Sequence, residues 1–62
     1  MKIICTDNFA REHISERTVV ENVPLYYANT ICDALNTKYG GDQAEDYFIV
    51  KSDDYKLYVF EP

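Results

Sequence analysis

The sequence predicts an α+β fold of two layers, one amphipathic helix packed on a small, mostly antiparallel sheet of three to four strands. Three observations predict it. The stretch "VPLYYANTICDALNTKYGG" places Leu25, Ala28, Ile31, Cys32, Leu35 and Tyr39 at three- and four-residue steps, the stripe of a helix with one buried side. The remaining apolar stretches are short and rich in β-branched or aromatic residues, as strands are. The chain has only 62 residues. Such a chain buries about 60 % of its unfolded surface and holds one small core, so residues 1–62 read as a single domain.

"KIICT", Lys2 to Thr6, reads as a strand that ends at the turn signal Asp7-Asn8. Phe9 to Arg17 fits a helix or an irregular loop, because Phe9 and Ile14 are its only large apolar residues. Thr18, Val19 and Val20 are β-branched in succession, which disfavours helix and predicts a strand from Glu16 to Glu21. Asn22 is then the expected helix N-cap, with Pro24 in the first turn. Asn29, Thr30, Asp33, Asn36 and Thr37 occupy the polar side of the helix. Lys38 suits the negative end of the helix dipole, and Gly40 is expected to take the left-handed conformation that ends it.

Two further strands are expected, Tyr47 to Lys51 and Lys56 to Phe60, joined by a loop from Ser52 to Tyr55. An odd loop shifts the second strand by one and still leaves an aromatic, apolar second face; an even register sets Phe48 against Val59, Val50 against Leu57, Ile49 against Tyr58 and Tyr47 against Phe60. One face of this hairpin is then aliphatic (Phe48, Val50, Leu57, Val59) and suits the helix. The other carries Tyr47, Ile49, Tyr58 and Phe60, with Lys51 and Lys56 toward the turn. A second apolar face needs a cover. The expected covers are the chain's own N-terminal segment through Ile3, Ile4, Phe9 or Ile14, a second copy, or a different protein.

Composition bounds the function. Eleven acids against six bases give a net charge of −5, which opposes binding to nucleic-acid phosphates. Stacking of single-stranded nucleic acid on the aromatic face is kept as a minor alternative. The acids concentrate at Asp42, Glu45, Asp46 and at Asp53, Asp54, where loops are expected. They lack the alternation and central glycine of a calcium loop. One histidine, His13, and two separated cysteines, Cys5 and Cys32, make no zinc ligand set and no spaced nucleophile pair. "YGGDQ" lacks the Lys-Ser/Thr of a phosphate-binding loop. No catalytic, cofactor or metal residue is therefore assigned. A chain this small would spend much of its core on an enclosed active site, so a non-enzymatic role is expected. Both cysteines read as reduced core residues, and no stretch reads as a signal peptide or membrane span, so a cytoplasmic location is expected.

Three segments, "TDNFARE" (Thr6 to Glu12), "ERTVVENVPLYYANTICDALN" (Glu16 to Asn36) and "DDYKLYVFEP" (Asp53 to Pro62), together resemble a kind of small bacteriophage and bacterial α+β protein with no assigned chemistry. The resemblance transfers no functional residue. It implies a small acidic protein that binds a host protein as a modulator or inhibitor, acting in the host cytoplasm. The expected contact residues are Tyr47, Ile49, Tyr58 and Phe60, with Lys51 and Lys56 as a charged rim, since interface energy concentrates in aromatic anchors ringed by polar groups. The alternative is a structural homodimer through the same face.

Overall fold

The computed structural model describes residues 1–41 and 43–61. Asp42, among the loop acids named above, and the terminal Pro62 lie outside the described residues. The element order is β1 (Lys2–Asp7), β2 (Arg17–Val20), α1 (Leu25–Tyr39) and β3 (Asp46–Lys51). One helix packs on a three-stranded antiparallel sheet of order β2-β1-β3, the two-layer α+β architecture.

β1 is the central strand. Ile3, Ile4 and Cys5 are consecutive and essentially fully buried, at 0 %, 0 % and 1 % exposure. Successive strand side chains point to opposite faces, so burial of three in a row requires cover on both sides. On the helix side, Ile3, Cys5, Cys32 and Phe48 form the core, with Val20, Ile31, Leu35 and Val50 packed around them. β1 pairs β3 in continuous register from Lys2 with Lys51 to Asp7 with Asp46. It pairs β2 through Ile3 with Val20 and Ile4 with Thr18, which leaves Val19 as a bulge on an edge strand. Both neighbours run antiparallel to β1, so β2 and β3 are parallel to each other with β1 between them. The helix is the crossover of that split unit.

The expected strand from Lys56 to Phe60 is not formed, and among the described residues there is no fourth strand. A tight turn does close at Ser52, whose carbonyl accepts from the Tyr55 N–H at 3.1 Å. The chain then leaves the sheet plane instead of returning along β3, whose main chain at Phe48 is engaged on its outer side. β1 takes one side. On the other, the Asn36 side-chain amide stands in for a strand: its Oδ1 accepts from the Phe48 N–H at 2.9 Å and its Nδ2 donates to the Phe48 carbonyl at 2.9 Å. Cys32 Sγ donates to the same carbonyl at 3.1 Å. The facing of Phe48 and Val50 toward the helix follows the expected parity, but their partners are Cys5 and Ile3, not Val59 and Leu57.

Both helix ends differ from expectation. Asn22 is not the N-cap; it holds a left-handed φ of 60° two residues upstream of Pro24, which is the capping residue and has no side chain to cap with. The Pro24 carbonyl instead accepts from the N–H groups of Tyr27 and Ala28, at 3.0 and 2.9 Å. Gly40 is extended, not left-handed, and the positive φ of 128° belongs to Gly41. Glycine is still required at 40, because a Cβ there would lie 2.6 Å from the Asn36 carbonyl oxygen. Ala28 and Cys32 are the buried centre of the helical stripe, whereas Leu25 and Tyr39 at its ends are exposed.

Phe9 to Glu16 is an irregular loop, pinned at its start by Asp7, and Arg17 already belongs to β2. Arg11 clasps that carboxylate with Nε to Oδ2 at 3.0 Å and Nη2 to Oδ1 at 2.6 Å, and its own N–H donates to Oδ2 at 2.7 Å. The Arg11 bonds outweigh desolvation and pull the Asp7 pKa down to about 2. Asn8 ties the loop to the helix–β3 connection by donating from Nδ2 to the Gly41 and Ala44 carbonyls. Asp46 begins β3 and meets Arg17 at 3.3 Å, so it is a strand residue, not a loop acid.

Candidate partner-binding surface

The residues expected to form one aromatic sheet face are divided between two elements. Tyr47, Ile49 and Lys51 alternate along β3 on the side away from the helix, where Ile4 and Thr6 of β1 also point. Lys56, Tyr58 and Phe60 lie instead on an irregular C-terminal strap, Tyr55 to Glu61.

The strap crosses the second face. Its start sits over β3, with Lys51 Nζ 5.1 Å from the Tyr55 ring centre. Its middle is held beside the start of β2 by Glu16. Glu16 Oε1 accepts from Tyr55 OH at 2.7 Å and from the Tyr58 N–H at 2.8 Å. The Glu16 N–H donates to the Tyr58 carbonyl at 2.8 Å. Further along, the Phe60 N–H donates to Ser15 Oγ at 2.9 Å, and Tyr58 OH donates to the Glu12 carbonyl at 2.5 Å. A segment running from β3 to β2 on this side must pass over central β1. That path explains the complete burial of Ile4 and the partial burial of Ile49 and Leu57. The second face is therefore covered by the chain's C-terminal segment. Of the expected N-terminal cover, Ile3 and Ile4 are spent in β1 and Phe9 is exposed with Arg11 over its ring, while Ile14 is half-buried in the loop before β2.

Burial of Glu16 alone would raise its pKa. The Tyr58 N–H, Tyr55 OH, Thr6 and the charge of Lys51 outweigh burial and bring it below the ordinary carboxylate value. The hydrogen bond to Glu16 in turn raises the Tyr55 phenol. Both cysteines are free and buried, and burial pushes both thiols up. His13 is exposed. Among the described residues no pocket opens and no three His, Cys, Asp or Glu side chains cluster as a metal site would need. Among the described residues no helix is long and apolar enough to cross a membrane.

No protein-family model matches this chain, and neither the curated proteins nor the solved structures contain a match to it.

What the surface presents is aromatic. Phe9, Tyr26, Tyr27, Tyr39, Tyr47, Tyr58 and Phe60 are all exposed, leaving only Phe48 and Tyr55 of the nine Tyr and Phe residues withdrawn. The patch that sequence reasoning missed is the first turn of α1. There Leu25, Tyr26 and Tyr27 are exposed together, Tyr26 by 72 %, with the two tyrosine rings 4.2 Å apart between centres. Three adjacent apolar residues cannot all face one side of a helix, which was the available signal.

Proposed function

We propose that this chain is a small acidic protein-binding module with no catalytic role, of the phage type that modulates or inhibits a host protein. The observation that carries the reading is the exposure of seven of nine aromatic side chains on a chain of 62 residues. Scattered apolar side chains are ordinary on a surface, but aromatic side chains supply the anchors of protein interfaces. A net charge of −5 favours a partner with a basic patch and opposes binding to phosphate backbones. Tyr47 and Phe60, with Tyr58 and the Lys56 and Lys51 ammonium groups, remain the contact residues proposed on the sheet-and-strap side, with Ile49 beneath them.

The test is affinity capture from host lysate with the wild-type chain beside Tyr47→Ser and Tyr26→Ser chains. Both substitutions fall at exposed positions, so folding should survive them. A protein captured by the wild type and lost with Tyr47→Ser supports the sheet-and-strap surface. A captured set unchanged by either substitution refutes an aromatic interface. A structural homodimer is the competing reading. Sedimentation across a wide concentration range separates the two, because a monomer at the highest concentration leaves no room for it.

A further inference from the structure

We infer that the C-terminal strap, Tyr55 to Glu61, is a latch that opens as its own unit while the sheet and helix stay folded, and that the Glu16 carboxylate is its catch. The strap is joined to the rest of the chain in a way no other element is. It belongs to no strand ladder. Beyond the turn at Ser52, its described hydrogen bonds go only to Glu12, Ser15 and Glu16 in the loop before β2. Two of them converge on the single atom Glu16 Oε1. Its own side chains are only partly withdrawn: Tyr55 and Leu57 are half-buried over the second face, whereas Tyr58, Val59 and Phe60 are exposed. The main core of Ile3, Cys5, Cys32 and Phe48 lies on the far side of the sheet, under the helix. Segments with few buried contacts and few hydrogen bonds open at lower free energy than the core. Opening would bare Ile4 and Ile49 on the second face while leaving the helix-side core closed.

The catch is charged, so it is sensitive to acid. Facing the Glu16 carboxylate are the Tyr55 hydroxyl and the Tyr58 N–H from the strap, Thr6 from β1 and the Lys51 ammonium from β3. All of these favour the ionised form over the protonated one. Glu16 therefore holds the strap fully above the ordinary glutamate range, and the hold is lost as pH falls through its lower folded value.

Residue-resolved amide exchange on the full chain tests this. In E16A the protection factors of Tyr58 and Phe60 should fall at least ~10-fold, the effect of losing about one charge-assisted hydrogen bond, while those of Cys5 and Phe48 stay within ~3-fold of wild type. A separation of the same sign should appear in the wild-type chain as pH falls from about 6 through the folded Glu16 value, after correction for intrinsic exchange, and in E16Q, whose side chain still accepts hydrogen bonds, it should be smaller than in E16A. Equal losses at Tyr58 and Phe48 would overturn the inference by making the strap part of one cooperative fold. Unchanged protection at Tyr58 would overturn it by removing Glu16 as the catch. If E16A does not fold, E16Q decides by the sign of the separation: Tyr58 and Phe60 losing more protection than Cys5 and Phe48 supports the latch, and equal or no losses overturn it.

Discussion

Replacing Asn36 with alanine tests the feature that decides the sheet topology. Asn36 supplies both an acceptor and a donor to the main chain of Phe48, each at 2.9 Å, on the edge of β3 that no strand covers. Alanine keeps the helix, since it is the best helix former. It leaves the Phe48 N–H with no protein partner, and leaves the Phe48 carbonyl with only the weak thiol donor of Cys32. An orphaned buried polar group costs about 1–3 kcal/mol, and water reaching the half-buried Asn36 position favours the middle of that range, about 2 kcal/mol. A domain of this size has a total stability of only about 3–9 kcal/mol. At about 4–8 °C per kcal/mol, the melting temperature should fall by about 8–16 °C. Thermal and urea unfolding followed by circular dichroism measures this, and the Phe48 amide should exchange faster relative to Cys5. A melting temperature within about 2 °C of wild type would mean that Asn36 does not serve as the edge partner of β3. Asn36→Asp adds a sign check. Its carboxylate can accept from the Phe48 N–H but repels the Phe48 carbonyl, so its cost should shrink as acid protonates it.

The remaining predictions probe other parts of the fold. Ile4→Ala should cost about 2–5 kcal/mol although Ile4 faces away from the helix, and a cost under about 1 kcal/mol by urea unfolding would show that the strap leaves that face open. Gly40→Ala should destabilise by about 1–3 kcal/mol, because its Cβ would lie 2.6 Å from a helix carbonyl; a neutral result would require the helix end to relax freely. Asp7 contributes stability above the ordinary aspartate value of about 3.9 that is lost as pH falls toward its folded value of about 2. Asp7→Asn should therefore flatten the pH dependence of the urea midpoint over that window, and an unchanged slope there would mean the Arg11 clasp does not hold in solution. Cys5 and Cys32 should resist a thiol reagent at neutral pH until the chain unfolds, and prompt labelling of the native protein would contradict their burial.

The helix and the strands β1, β2 and β3 were legible along the chain, whereas the helix caps and the Lys56–Phe60 segment were not. Residues at helical spacing gave α1, and Ala28 and Cys32 are its buried centre. β-Branched runs gave β1 and β2, and the parity of Phe48 and Val50 put them under the helix. These features depend on backbone preference and on side chains a few residues apart, so they are legible along the chain. Apolar residues on both faces of a strand also signalled correctly that something lies on each side of the sheet. Which strand is central follows from long-range pairing alone, because Lys2–Asp7 and Lys56–Phe60 both have the composition of a partner for Asp46–Lys51. That competition is settled by main-chain groups, each of which takes a limited number of partners. β1 occupies one side of β3, and Asn36, a residue the helical pattern assigns only to a polar side, occupies the Phe48 groups on the other. With the Phe48 groups taken by Asn36, the aromatic C-terminal segment does not pair along this edge of β3. It crosses the second face and fastens to Glu16, a contact between residues about forty positions apart that no local pattern encodes.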